Sequence, residues 1–218
     1  MNKFKYCLMA AALMTATSVG FTSCSDDDDE ESTQNPAEEY VKSVKSKDTA
    51  ILLCSFGSTY NEATHVYDDI VDEFKAAFPD ADVYLSFSSN TCIGRLEAMR
   101  DSAFYHVDTW LNACAEAGYP KIAVQSLHVI PGEEYLAVMN GTVKKDFMIR
   151  MYPSVNVLRS ANLLSTDDDT EAVATALYNH YKSSLADKHN VLLLMGHGNP
   201  DDNYNANQKY TDTEVAMQ

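Results

Sequence analysis

The chain has 218 residues, with 16 Lys and Arg against 32 Asp and Glu, a formal charge of −16 at pH 7. Such a polyanion repels phosphate backbones, which argues against nucleic acid as a partner and leaves cationic partners, metal ions among them, open. Its five cysteines form no CxxC or zinc-type spacing, which argues against a disulfide framework.

Residues 1–23 read as a targeting segment. Lys3 and Lys5 precede the short apolar run CLMAAALMTATSVGF, and FTSC ends at Cys24. A basic start, a short apolar core and small residues before a cleavage point make a secretory signal peptide. The run is too short and too rich in small residues for a membrane span. Small residues directly before a cysteine resemble a lipobox, which implies cleavage before Cys24 and lipid on its sulfur. The alternative is an ordinary signal peptide with an incidental cysteine. The run SDDDDEESTQNPAEE that follows cannot bury apolar area and resembles the acidic export signals of bacterial surface lipoproteins. Residues 24–47 are therefore expected to be a disordered acidic tether. The expected location is the cell envelope, lipid-anchored at the periplasmic or outer-surface side of a bacterial membrane.

The globular part is expected from Asp48. TAILLCSF (49–56) is a strand-length apolar run ended by Gly57, with Ser58 and Thr59 as helix N-cap residues. Apolar residues at helical spacing from Asn61 to Phe78 predict a helix stopped by Pro79. ADVYLSFSS (81–89) predicts the second strand, and helices follow at 90–100 and 108–117, the latter ended by Gly118. KIAVQSLHVI (121–130) predicts the third strand, closed by Pro131 and Gly132. Residues 133–150 read as an amphipathic helix with Tyr135, Val138, Met139, Val143, Phe147 and Met148 near one face. SVNVLRSA (154–161) predicts a fourth strand, and 167–186 a long helix with Asp167, Asp168 and Asp169 at its positive end. VLLLM (191–195) predicts a fifth strand. This alternation makes the fold class α/β, a Rossmann-like parallel sheet with helices on both faces. Residues 48–166 form its first domain. ILLCSFGS (51–58) and VLLLMGHG (191–198) share one form, so residues 167–218 read as a connecting helix and the start of a second, incomplete α/β half.

Ligands of open α/β sheets bind at the carboxyl ends of the strands. Ser55, Phe56, Gly57, Ser58 and Thr59 follow the first strand, Ser86, Ser88 and Ser89 end the second, His128, Glu133 and Glu134 end the third, and His197 ends the fifth. Each has a plainer reading as well. On that reading Gly57 is a strand-to-helix turn, His128 a satisfied core histidine, and the two glutamates helix N-terminal acids. His197 is the most specific, because flanking glycines leave its imidazole accessible as a ligand or as a base. His65, His106, His180 and His189 read as surface residues, and Cys54 and Cys114 as small core residues. GxGxxG, P-loop, HExxH and GxSxG patterns are missing, so a serine hydrolase has weak support.

Taken together, ILLCSFGSTY (51–60), AFPDADVYLSFSS (77–89), AEAGYPKIAVQSLHVIPGEEY (115–135) and VLLLMGHGNP (191–200) resemble, in order and spacing, the anaerobic-type sirohydrochlorin cobaltochelatases of the CbiK type, class II chelatases. The resemblance spans about residues 49–210. It implies two Rossmann-like halves around a tetrapyrrole cleft, and insertion of Co2+ into sirohydrochlorin by a metal-inserting lyase without ATP, in anaerobic cobalamin biosynthesis. The divalent metal is a substrate, with Fe2+ and Ni2+ as alternatives, and no organic cofactor is expected. His197 would bind the metal and help remove pyrrole protons, while His128 and Glu134 line the facing wall. Backbone amides of Ser55–Thr59 would receive the carboxylates of the macrocycle, and Ser88 and Ser89 would add to that substrate-binding edge. The family's other metal ligands, a glutamate and a second histidine, find no counterpart after Pro200. The sequence therefore reads as a truncated family member, with little insertion activity expected of these residues alone. A second reading is an envelope lipoprotein that binds haem, another tetrapyrrole or a metal without catalysis. Membrane contact is expected through the lipid anchor only, and a homo-oligomer is left open.

Overall fold

The computed structural model describes residues 35–100, 104–200 and 205–218. The expected signal peptide and Cys24 lie outside them.

Four parallel strands form one sheet in the order β2-β1-β3-β4: β1 (Thr49–Ser55), β2 (Ala81–Phe87), β3 (Lys121–Ser126) and β4 (Asn156–Arg159). β1 is central, and its last six residues are all buried. That is why its sequence is a continuous apolar run and not an alternation. Leu52, Tyr84, Ile122, Val124 and Val157 share one face and build the main core with α4 (Val107–Glu116) and the long helix before β4. The other face carries α2 (Asn61–Ala77), which packs on β2, beside α3 (Asn90–Arg100). Helices thus cover both faces, as the alternation of elements predicts. Beside α2 the second face stays open over β3 and β4. There Ile51, Phe74, Phe78, Ala123 and Leu158 line a groove of about 540 Å3.

The expected tether is shorter than the sequence suggests. Residues 36–44 form a helix, α1 (Pro36–Val44), capped by Asn35, whose Oδ1 accepts from Ala37 N at 3.1 Å. Ala37 and Val41 are fully buried in the main core, against α4. The polar composition of the stretch hides two apolar residues four apart, which are neighbours on one helix face. Asp82 clamps the exit of α1 by accepting from Ser46 N (2.9 Å), Ser46 Oγ (2.7 Å) and Lys47 N (2.9 Å), as well as from Tyr119 Oη (2.5 Å). Burial works against the Asp82 carboxylate, but these donors outweigh it and hold its pKa below the usual value.

The amphipathic segment 133–150 begins as one α-turn, α5 (Glu133–Leu136), and continues as a π-helix, Ala137–Met151. Tyr152 N donates to Phe147 O, five residues back, at 2.8 Å. The buried residues are Val138, Met139, Val143 and Phe147. Their steps of four and five residues match the wider i→i+5 turn. α6 (Asp167–Leu185) has a capping box of Thr166 and Asp169, as its acidic start foreshadows. It packs against α7 (Gln208–Met217).

The expected fifth strand does not form. Residues 191–195 pair with no strand among the described residues, and Leu193 and Met195 are 87% and 97% exposed. An apolar run becomes a strand only where neighbouring edges take its backbone bonds, and the described sheet ends at β4 on that side. The turns of the two similar segments differ as well. The positive φ falls at Gly57 (102°) in the first and at Gly198 (80°) in the second, one position later.

α1 is thus part of the folded unit, and that can be measured. Val41→Ala should cost about 2 kcal/mol in urea unfolding. Val44→Ala on the same helix, 41% exposed, should stay within about 0.5 kcal/mol. Equal, negligible effects of both would return residues 36–44 to the tether.

Candidate functional site

The chain passes from β1 outward to β2, then returns across β1 to β3. This reversal makes the carboxyl ends of β1 and β3 a topological switch point, the place where open α/β sheets hold ligands in a crevice. Leu127 N still donates to Cys54 O (2.8 Å) and Ser88 N to Ser55 O (2.8 Å), so the loops leave the sheet in register.

The loop after β1 is tightly built. Ser55 Oγ donates to Tyr67 Oη (3.1 Å) and accepts from Gly57 N (3.4 Å). A Cβ at Gly57 would lie 3.2 Å from both Cys92 and the Phe87 ring, in a left-handed backbone conformation. Phe56 stands 45% exposed beside it. The N-cap of α2 is Tyr60, not Ser58 or Thr59 as expected; Ser58 Oγ instead accepts from Tyr60 N at 3.2 Å. Ser89 N donates to Phe56 O (3.2 Å), joining this loop to the start of α3. Ser88 Oγ is buried and has no partner among the described residues.

His128 lies two residues beyond β3, not within a strand as expected. Its backbone is fixed because His128 O accepts from Leu163 N (2.9 Å) while its own N–H donates to Ser126 Oγ (3.1 Å). Nδ1 pairs with the same hydroxyl at 3.0 Å, and the ring stands edge-on to Tyr135. Nε2 is buried without a partner among the described residues. Burial holds the pKa below the ordinary histidine value, which keeps the ring neutral. Glu134 follows at the start of α5. It is exposed, and its charge is felt by both the Cys54 thiol at the end of β1 and the His106 ring.

His197 is exposed. Its Nδ1 lies 2.9 Å from Gly198 O, a group that can only accept. The ring proton therefore sits on Nδ1, and neutral His197 presents the Nε2 lone pair outward, the form that binds metals. Asn199 Oδ1 accepts from Glu133 N at 3.2 Å, and Asn199 exchanges two backbone bonds with the Asn207 side chain (2.7 and 2.8 Å). The His197 loop is thus seated on the loop that carries Glu133 and Glu134. Among the described residues, no three His, Cys, Asp or Glu side chains group closely enough to hold a metal ion.

His106 does not belong with the surface histidines. It forms a parallel bridge with Phe87 and caps α4. Its Nδ1 lies 2.9 Å from Asp108 Oδ1 and its Nε2 3.1 Å from Ser88 O. The hydrogen bond donated to Asp108 raises its pKa against the pull of burial, helped by the Ser88 carbonyl and Glu134. A positive charge at a helix N-terminus costs about 0.3–1 kcal/mol. A charge-assisted hydrogen bond contributes about 1.5–3 kcal/mol, so the pair prevails. The only sequence signal was its i, i+2 spacing from an aspartate. Cys54 and Cys114 are buried, free thiols pushed up to about 12, as core residues should be.

A family model described as "Cobalt chelatase (CbiK)" matches residues 49–218. The chain belongs to the cobalt chelatase family. Among its relatives, the sirohydrochlorin cobaltochelatase of Salmonella typhimurium (strain LT2) is 30% identical over 155 residues, covering 68% of this chain and 54% of the relative. The sirohydrochlorin cobaltochelatase CbiKC of Nitratidesulfovibrio vulgaris (strain Hildenborough) is 31% identical over 153 residues, covering 68% and 51%. The chain thus spans about half the length of these chelatases. The family match starts at Thr49, the first residue of β1, so α1 lies before the matched residues.

The glycine after β1 offers a direct check on this site. Gly57→Ala should destabilise the protein by about 1–3 kcal/mol through backbone strain. Gly94→Ala, on the open side of α3 with nothing within 4 Å, should stabilise by about 0.5–1 kcal/mol. Thermal unfolding of the two variants compares them, and a harmless Gly57→Ala would show that the loop can take another conformation.

Proposed function

We propose that this chain acts in the ATP-independent insertion of Co2+ into sirohydrochlorin, with the macrocycle received at the carboxyl ends of β1, β2 and β3. The observation that carries the reading is the His197 ring: a carbonyl holds its Nδ1 proton, and Nε2 is left free to take a metal ion and pass it on. Insertion forms four metal–nitrogen bonds and releases two pyrrole protons, so the site needs bases as well as a ligand. Neutral His128, with Nε2 unpartnered, and the Glu134 carboxylate supply acceptors on the wall that the His197 loop contacts. The serine-rich turns at Ser55–Thr59 and Ser88–Ser89 and the helix starts behind them suit the carboxylate substituents of the macrocycle. Imidazole accepts Fe2+, Co2+ and Ni2+, with affinity rising in that order. Preference for Co2+ over Ni2+ therefore has to come from geometry and supply. Binding without turnover is the second reading, favoured by the lack of a three-donor group among the described residues.

An anaerobic absorbance assay with sirohydrochlorin and Co2+ separates the two readings. His197→Ala should lower insertion by about a hundredfold or more, and His128→Ala by a similar factor through the lost base. Unchanged turnover in His197→Ala would remove it from the mechanism. Tight macrocycle binding with no insertion by the wild type would favour the binding reading.

We also propose that Cys24 is lipidated and anchors the chain in the cell envelope, a reading supported by the basic and apolar leader and by the acidic run behind the cysteine. No described helix is long and apolar enough to cross a membrane. Cys24→Ser should move the protein from the membrane to the soluble fraction on cell fractionation, and continued membrane association would exclude lipidation as the anchor.

A further inference from the structure

The ring of His106 is bonded on both sides to groups that cannot donate, the Asp108 carboxylate at 2.9 Å and the Ser88 carbonyl at 3.1 Å. A neutral imidazole has one N–H and would leave one of these contacts as two facing lone pairs; an imidazolium satisfies both. The charges that act on it among the described residues are acidic, Asp108 on its own helix and Glu134 on α5, while on α3 Glu97 Oε1 accepts from Phe104 N at 3.4 Å and Arg95 lies two residues before it. Asp108 is itself held in place, accepting from Thr109 N at 2.6 Å. The residue that His106 grips is at the crevice. Ser88 N is tied to the end of β1, its carbonyl to His106, and its buried hydroxyl has no partner among the described residues. The adjoining start of α3 carries no acid in its first turn.

We propose that His106 is a fixed imidazolium, held between Asp108 and the Ser88 carbonyl, that positions the Ser88–Ser89 turn and adds a positive charge beside the crevice for a carboxylate-bearing ligand. In a chain with twice as many acids as bases, one buried-edge cation next to two helix starts defines where a polyanionic macrocycle can approach. His106 acts through Ser88 and through its field, not by touching the reacting atoms. The ligand half of this inference rests on the tetrapyrrole reading above.

The test uses the full chain and two metal-free porphyrins, uroporphyrin, an octacarboxylate, and a tetracationic porphyrin as a control of opposite charge. Binding is followed by fluorescence between pH 6.5 and 9.5, and the His106 ring by NMR of labelled histidine. Wild type should show both ring nitrogens protonated near neutral pH. Its affinity for uroporphyrin should fall as the pH rises past the deprotonation seen by NMR. His106→Gln should bind uroporphyrin about three- to fivefold more weakly, with no such step, and the cationic porphyrin no more weakly. Asp108→Asn should move both the NMR midpoint and the binding step to lower pH, which a merely structural contact would not do. His106→Arg should recover most of the affinity without the step. A neutral His106 ring, or equal uroporphyrin affinity and pH profile in wild type and His106→Gln, overturns the proposal. If wild type binds no uroporphyrin at any pH, the tetrapyrrole reading falls, and the ligand role of His106 falls with it.

Discussion

β1 is paired on both edges and covered on both faces, and the rest of the molecule is arranged around that burial. A strand without a free edge or a wet face can only be apolar, so its polar neighbours are pushed to its end, at Ser55 and the turn beyond. Because β2 and β3 flank it in parallel, their polar ends arrive at the same place, Ser88 from one side and His128 from the other. The crevice is a product of this packing. Nothing in the loops has to bring these residues together beyond the register of the sheet, which continues one bond past β1 on each side.

Three histidines with the same side chain are given different chemistry by their partners. His197 faces one backbone carbonyl, which fixes a proton on Nδ1 and leaves the lone pair on Nε2. His128 faces a serine hydroxyl, which can donate or accept, and its burial keeps it neutral. His106 faces two acceptors and is driven toward the charged form. The three rings are thus given different proton arrangements by the hydrogen-bonding capacity of the neighbouring groups, not by differences in sequence context that a reader of the chain could see. The exposed Glu134 adds a charge felt both at the end of β1 and at the His106 ring.

What the sequence made legible follows from this. The four strands were readable because each is a run of the right length and composition, and the residues at their ends were readable because topology alone places them. Ser55, Gly57, Ser88, His128 and Glu134 all lie at or just beyond the carboxyl ends of the three paired strands. His106 was not legible, because its role comes from a bridge to Phe87 and a bond to Ser88, both far along the chain. α1 was hidden by its acidic composition, since only Ala37 and Val41 show a buried face. The π-helix was hidden because an apolar spacing of four and five can be read as a loose α-helical stripe. The failed fifth strand shows the converse. VLLLM has the composition of β1 but not its neighbours, and composition without paired edges does not make a strand.

That contrast bears on how the His197 loop is held. At β1 the turn is positioned by the sheet behind it, through ladder bonds on both sides. At residues 191–199 no ladder is available among the described residues, and the loop is positioned from the front, by Asn199 on Glu133 N and on the Asn207 side chain, with the ring of Tyr210 packed where Gly196 has no side chain. A few side-chain bonds at the surface hold a loop less firmly than a buried ladder, because each contributes about 1 kcal/mol and competes with water. His197 is therefore the least rigidly placed of the three histidines. Under the proposed insertion, a ligand that takes up a metal ion and passes it on would tolerate that mobility, whereas His128, bonded to Ser126 and Leu163, and His106, bonded to Ser88, are tied to the sheet and its loops.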